Sequence, residues 1–453
     1  MPKGLHHLEQ TVLGWLPNSW QVRLRRAHAG HKNVVRGMVW LTLFVMAAKG
    51  VAAIKEVAVA YRFGTGETLE GYLLAFNLAT WPVSLLFSVM HFVLVPALVR
   101  QQAAPDGGHA WQRQVTTWVW MAALAVAGLV ATLLPLLIRS GWLGLAPLAR
   151  EAALAAVPWL APVAVLGVLA SWHACQLMSR QRHANTFLEA MPALGILAAV
   201  LLMPFATVNV LLWGTAAGFL FQWLLLIAIV RASSLPVMPA LGFARPLDPT
   251  LGRSAAWLLA AQLLMSMGAV IDQIILAHLP AGALATFGYA NRVMALVLTL
   301  TATVTGRALL PVLAGLRPEE SYAIARRWAT WLFGLGLLGA VLIVVSAPFV
   351  IEILFERGAF TADDTAQTAN LLMGMALQLP FYLAGTVWVQ WALTSPGQAR
   401  TLWWAAVCSV VAKLTVTLSL ITFAGWQAQA VVAGLVAATL AYLIPLLARH
   451  RFR

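Results

Sequence analysis

Five basic residues lie inside long apolar stretches of this sequence, where a charge is costly unless it meets a partner, a water-filled cavity or a substrate. These residues are Lys49, Lys55, Arg292, Arg307 and Lys413. The acidic residues in the same stretches are fewer, namely Glu56 and Asp272, with Glu70 near the end of a stretch. Excess positive charge in a desolvated interior requires counter-charge. The set predicts a site for an anionic substrate, with the cations as binding groups and the acids as charge-pairing or gating groups.

Two pairings among these charges follow from spacing. Lys49 and Glu56 are seven residues apart and share a helical face, so mutual neutralisation is the structural alternative to a binding role for Lys49. Asp272 takes nearly the place in the second half of the chain that Lys55 takes in the first, which predicts a salt bridge between the halves that breaks as they move. Snorkelling of Lys55 or Arg307 to the membrane surface is the structural alternative.

The composition identifies the solvent around these charges as lipid. The chain has 453 residues, of which 61% are hydrophobic and only 10% are charged, whereas soluble domains carry about 25% charged residues. A helix needs about 20 apolar residues to cross a bilayer. Twelve stretches qualify: 37–61, 71–98, 115–138, 152–178, 187–206, 208–230, 254–279, 286–315, 328–354, 369–394, 401–424 and 427–448. The predicted fold is an all-α polytopic membrane protein of about twelve transmembrane helices.

A proline-rich connector divides these spans into two groups of six. The predicted units are a basic segment 1–36, a first lobe 37–230, the cytoplasmic linker 231–253, a second lobe 254–448 and a tail 449–453. The segment 1–36 is either a helix on the membrane surface or a basic tail. Residues 72–98 align without a gap with 287–313 and enter the membrane from the same side, which indicates a parallel repeat with a site between its halves.

The distribution of basic residues predicts the orientation. With the N-terminus in the cytoplasm, 20 Lys and Arg residues fall on the cytoplasmic side and 4 on the outer side. Both termini are therefore expected in the cytoplasm. The net charge of +14 lies mainly in these short connectors, so nucleic-acid binding is not expected. The cysteines and histidines form no metal or disulfide pattern, and the sequence has no phosphate-binding glycine loop. No catalytic residue, metal or cofactor is predicted, and the coupling ion is left open.

Four segments of the chain resemble the MurJ (MviN) family of lipid II flippases. They begin at Ala48, Glu70 and Leu279, and the fourth is the outer-loop motif Leu354-Phe-Glu-Arg-Gly-Ala-Phe-Thr-Ala-Asp-Asp-Thr365. The resemblance covers roughly residues 37–447. It implies the fold of the multidrug/oligosaccharidyl-lipid/polysaccharide exporter superfamily, with two six-helix lobes around a central cavity. It also implies that Lys49, Lys55 and Arg292 bind the pyrophosphate of a polyprenyl-linked glycan.

Two departures from the family bear on the substrate. The family usually has an arginine in the second helix, about where this chain has Pro82-Val83-Ser84, and it adds two C-terminal helices beyond the twelve counted here. The expected function is therefore alternating-access flipping of an undecaprenyl-pyrophosphate-linked oligosaccharide, chiefly an exopolysaccharide or cell-surface glycan repeat unit, in the bacterial inner membrane. The alternative is lipid II. Membrane lipid and glycan-assembly enzymes are the other candidate partners.

Functions from other classes are more distant alternatives. A membrane glycan polymerase or ligase is expected to carry a substantial outer catalytic loop, whereas the outer loops here are short. A cation-coupled exporter of cationic drugs needs an acidic cavity, which is the opposite of the charge pattern observed. A transporter of an anion is therefore expected, and not an enzyme.

Overall fold

The computed structural model describes residues 29–101, 108–180, 185–205, 207–240, 249–314, 318–394 and 399–448. Every regular element in these ranges is helical. The first half contains α1 Ala29–Phe63, α2 Glu67–Val89, a π-helical turn Met90–Leu94, α3 Val95–Gln101, α4 His109–Arg139, α5 Pro147–Ser179, α6 Asn185–Leu188, α7 Met191–Leu202 and α8 Val208–Ala232. The second half contains α9 Pro249–Ala277, α10 Ala283–Ala314, α11 Pro318–Phe355, α12 Ala362–Ala376, α13 Leu379–Thr394, α14 Ala399–Ala424 and α15 Ala428–Ala448.

The helices are those of a polytopic membrane protein, as predicted. By length and composition, 7 of the described helices can cross a membrane, and the bent pair α12–α13 makes up to 8. Shorter apolar helices lie at Met191–Leu202, Ser266–Ala277 and Ala283–Thr299. Each of the twelve predicted spans overlaps one helix or two or three consecutive helical elements. The all-α fold class is confirmed.

Several spans differ from their predicted form. The helix α1 begins at Ala29 and not at residue 37, and the span predicted at 187–206 is divided between α6 and the 12-residue α7. The span predicted at 369–394 is broken into α12 and α13, which meet at an angle of 45°. Pro380 lies in the first turn of α13, where it has no backbone N–H to continue a helix from α12.

Helices pack mainly within each half of the chain. In the first half, α5 packs against α2, α4 and α8, while in the second half α13 packs against α10, α11 and α15. Between α7 and α8 the backbones come very close, because a Cβ atom on Gly214 would lie 2.7 Å from Ile196 Cα. The two halves meet chiefly where α2 packs against α9 and α10. The predicted residue boundaries of the lobes stay a prediction, and the segments 1–28, 241–248 and 449–453 lie outside the described residues.

Candidate functional site

A cavity of about 760 Å³ lies where α2 of the first half faces the second half. Leu73 and Asn77 of α2 form one wall, and α9, α10, α13, α14 and α15 form the others. Three of the charged residues singled out in the sequence line this cavity, namely Asp272, Arg292 and Lys413. The helices therefore bring Asp272 and Lys413 together, although 141 positions separate them in the chain.

An ion pair joins the two halves beside the cavity. The guanidinium Nη1 of Arg292 on α10 lies 2.7 Å from Glu56 Oε2 on α1, and Lys55 also pairs with Glu56. The side chain of Arg292 remains 30% exposed and lines the cavity. The same guanidinium carbon lies 5.4 Å from the ring centroid of Tyr289, within cation–π range. Arg292 is thus fixed on one side by Glu56 and open on the other.

A second ion pair lies deeper and stays within the second half. Lys413 Nζ on α14 donates to Asp272 Oδ2 on α9 at 2.6 Å and to the Gly268 carbonyl at 3.0 Å. Both charged side chains are less than a tenth exposed. The predicted salt bridge between Lys55 and Asp272 is therefore wrong. Asp272 forms an ion pair with Lys413 of the neighbouring helix, and Lys55 forms one with the adjacent Glu56.

The structural alternative for Lys49, a pair with Glu56, is not formed. Seven residues of helix rise about 10 Å, and the Glu56 carboxylate is engaged by two nearer cations. Lys49 is exposed and lies close enough to Glu189 to act on its carboxylate electrostatically. Arg307 lies on α10, but its side chain is outside the described part of the structure. Of the five predicted cations, Lys55 and Arg292 are brought together, and Lys413 is held apart in its own pair.

One end of the molecule, called the closed end below, is shut by hydrogen bonds between the halves. The buried Glu70 carboxylate on α2 accepts hydrogen bonds from the Leu284 and Ala285 amides at 2.8 and 3.1 Å. These amides belong to the first turn of α10, where N–H groups lack helical partners and the helix dipole favours a negative charge. Thr65 Oγ1 also donates to Asp364 Oδ1 at 2.6 Å.

Two glycines allow the chains to approach at the closed end. Gly64 has φ +56°, and a Cβ there would lie 2.4 Å from the Ala359 carbonyl oxygen. A Cβ on Gly358, with φ +63°, would lie 2.2 Å from the Tyr61 carbonyl oxygen. The backbone amide of Ala359 donates to that same Tyr61 oxygen at 2.8 Å. Any side chain at either glycine would force the halves apart.

Most of these closed-end contacts have no signature in the sequence. The motif 354–365 was selected for its family resemblance, but nothing in its residue types indicated that it packs on the turn after α1. A capping box formed by Thr361 and Asp364 was a readable signal for the start of α12. The second role of Asp364, as acceptor for Thr65, depends on contact between the halves and has no signature in the sequence.

Replacing Glu70 with glutamine is expected to raise the equilibrium constant for opening of the closed end by about two- to fivefold. The amide lacks the negative charge that interacts with the α10 dipole. Opening is measured as the labelling rate of Ala285→Cys, a fully buried position, by a water-soluble maleimide. Cys175 and Cys408 are replaced by alanine in this background. Glu67→Gln, one turn earlier on α2, is the matched control and should leave the rate unchanged. Equal rates for the two variants would contradict the role given to Glu70.

Two lobes around a charged cavity are the architecture of transporters of the multidrug/oligosaccharidyl-lipid/polysaccharide exporter superfamily, and solved structures of that class share this fold. A structure of the lipid II flippase MurJ in an inward-closed conformation matches with a TM-score of 0.79 at 17% identity, covering 91% of this chain and 87% of that one. An inward-facing multidrug MATE transporter matches with a TM-score of 0.72 at 13% identity, covering 89% and 94%. The family described as "Lipid II flippase MurJ" matches residues 59–452. The chain belongs to the MurJ family.

Curated relatives carry the same family name but match over shorter stretches. The probable lipid II flippase MurJ of Bdellovibrio bacteriovorus is 29% identical over 181 residues, which are 37% of this chain and 33% of that protein. The Helicobacter pylori protein is 29% identical over 193 residues, covering 40% and 38%. The chain thus matches about a third of the length of these relatives. These proteins are named as transporters, which agrees with the prediction of transport and not catalysis.

Proposed function

We propose that this protein flips lipid II across the bacterial inner membrane by alternating access. The observation that carries the proposal is Arg292, which lines the cavity between the lobes and is held there by Glu56 of the opposite lobe. Family membership and the names of the relatives favour lipid II over the exopolysaccharide repeat unit that the sequence analysis put first. The absent second-helix arginine that favoured the exopolysaccharide unit does not outweigh a family match of this extent.

The charges support recognition of a pyrophosphate at Arg292. The planar guanidinium presents a fork of N–H donors that suits phosphate oxygens, and its partly exposed side leaves donors available to the cavity. Lys55 lies beside the same Glu56 and adds a second positive charge. Lys413 contributes little net attraction, because Asp272 already neutralises it. Lys49 lies outside this cluster, exposed on α1, where it adds to the positive field that an incoming anion meets.

Binding is coupled to movement through the shared carboxylate of Glu56. In the present conformation, Arg292 contributes an ion pair between the lobes as well as a cavity surface. A pyrophosphate that engages Arg292 competes with Glu56 for the guanidinium, which weakens a contact between the lobes on the side of the closed end. The lobes then separate at the closed end and approach at the other. With both termini in the cytoplasm, the closed end faces the periplasm.

Reconstitution tests the proposal and ranks the two glycans. Purified protein is placed in liposomes with fluorescent lipid II or with a fluorescent undecaprenyl-pyrophosphate-linked exopolysaccharide unit. After a membrane-impermeant quencher has removed the outer-leaflet signal, the further loss of fluorescence from inner-leaflet lipid that reaches the outer leaflet is followed. We expect protein-dependent flipping of lipid II, faster than that of the exopolysaccharide unit. Flipping of the exopolysaccharide unit alone would overturn the choice of lipid II. Flipping of neither substrate by folded protein would overturn the proposed function.

A further inference from the structure

The geometry points to an uncharged glycan subsite in the part of the cavity formed by the second lobe, beyond Arg292. This inference rests on the proposed function, because it assigns the sugar of the proposed substrate to a particular wall. The residues that form the subsite are Gln273 on α9, Thr386 and Gln390 on α13, and Thr439 on α15. In this arrangement, Arg292 holds the pyrophosphate and the neutral wall holds the adjoining sugar.

The electrostatic balance of this wall is close to neutral. Asp272 and Lys413 both line the cavity, but they pair with each other at 2.6 Å, and Lys413 also donates to a backbone carbonyl. Among the described residues that line the cavity, Arg292 is the charged residue whose charge no other lining residue neutralises. A second anionic group of a ligand would find no unpaired cation on this wall. The wall therefore suits a polar group without charge.

The two threonine hydroxyls of the wall are available to a ligand as acceptors. The hydroxyl of Thr386 donates to the Leu383 carbonyl at 2.7 Å, and that of Thr439 donates to the Leu435 carbonyl at 2.9 Å. Since each hydroxyl proton is used within its own helix, the oxygen lone pairs are what these residues offer to the cavity. A ligand that complements such groups must bring donors. Sugar hydroxyl and acetamido N–H groups are donors of this kind.

Gln273 supplies an independent sign that this wall receives a hydrogen-bonding ligand. The residue lines the cavity, and its Oε1 atom is buried with no hydrogen-bond donor among the described residues. A buried amide oxygen without a donor is unfavourable, and such atoms are uncommon in folded proteins. Rotation of the Gln273 side chain toward the cavity would let a ligand hydroxyl donate to this oxygen. The cavity volume of about 760 Å³ lies within the range of roughly 300–1,000 Å³ that is usual for small-molecule sites.

The test compares two short-chain probes that carry the same charge. Farnesyl pyrophosphate esterified with N-acetylglucosamine has the sugar, whereas its methyl ester has the same phosphates without it. Dissociation constants are measured for the full chain in lipid nanodiscs. We expect the wild type to bind the sugar probe about tenfold more tightly, and Gln273→Leu and Thr439→Val each to weaken that probe by about two- to tenfold. Neither variant should change the binding of the methyl ester, which also shows that each variant is folded.

Thr422→Val is the matched control. Thr422 makes the same kind of bond to its own helix, to the Leu418 carbonyl at 2.8 Å, but it is exposed and outside the cavity. It should leave both dissociation constants unchanged. Equal binding of the two probes by the wild type, or an undiminished sugar preference in both cavity variants, would overturn the glycan subsite while leaving the proposed function intact. Binding of neither probe by folded wild type would overturn the proposed function, and the subsite with it.

Discussion

Arg292→Ala is expected to lower the rate of lipid II flipping by about ten- to a hundredfold. The guanidinium is the charged cavity group that is partly free to meet a pyrophosphate, and loss of a charge-assisted contact of this kind costs about 1.5–3 kcal/mol. The fold should survive, because Glu56 keeps Lys55 as a partner. The rate is measured in proteoliposomes with equal amounts of inserted protein.

Two further variants show whether the effect belongs to the guanidinium. Arg292→Lys retains the charge but loses the fork of N–H donors, so its rate should fall between those of the wild type and Arg292→Ala. Arg326→Ala removes an exposed arginine of α11 that does not line the cavity, and it should flip at the wild-type rate. Wild-type flipping by Arg292→Ala would contradict the site.

Lys413→Met is expected to have the largest effect on stability, a loss of about 3–5 kcal/mol, because it leaves the Asp272 carboxylate buried without its partner. Methionine has a similar length, so little packing is lost. The double variant Asp272→Asn with Lys413→Met should recover most of the loss, since the buried charge is removed as well. Thermal unfolding of the purified protein in detergent measures both effects.

Lys49→Met is the matched control for this series, because Lys49 is an exposed lysine on a membrane helix. It should unfold close to the wild-type temperature. The structural role of the ion pair would be contradicted if Lys413→Met unfolded at the same temperature as Lys49→Met. It would also be contradicted if the double variant were no more stable than the single one.

The spans could be predicted from the sequence because the bilayer imposes a simple rule. A crossing helix must satisfy its backbone polar groups internally and present about 20 apolar residues, so its position is visible in composition alone. Finer features were not visible in this way. The break at Pro380 depends on how α12 and α13 pack against α11 and α10, and the short α7 depends on its close contact with α8 through Gly214.

The charged residues could be selected from the sequence, but their partners could not. Helical spacing relates residues on one helix, and on that basis Glu56 was a candidate partner of Lys49. The structure instead brings Arg292 to Glu56 from another lobe and Lys413 to Asp272 from another helix. Which helices adjoin is decided by packing of the whole chain. The family resemblance implied that Lys49, Lys55 and Arg292 bind pyrophosphate, without indicating the carboxylate that Lys55 and Arg292 share.

Reversible bridging of the closed end tests most directly the central claim that the lobes alternate around the Arg292 cavity. Thr65→Cys and Asp364→Cys place thiols where the two side chains now touch, and a short bifunctional methanethiosulfonate joins them in the background without Cys175 and Cys408. Each single-cysteine variant, treated identically, is the control. We predict that bridging abolishes lipid II flipping, that reductant restores it, and that neither control loses activity. Undiminished flipping by fully bridged protein would contradict alternating access through this end.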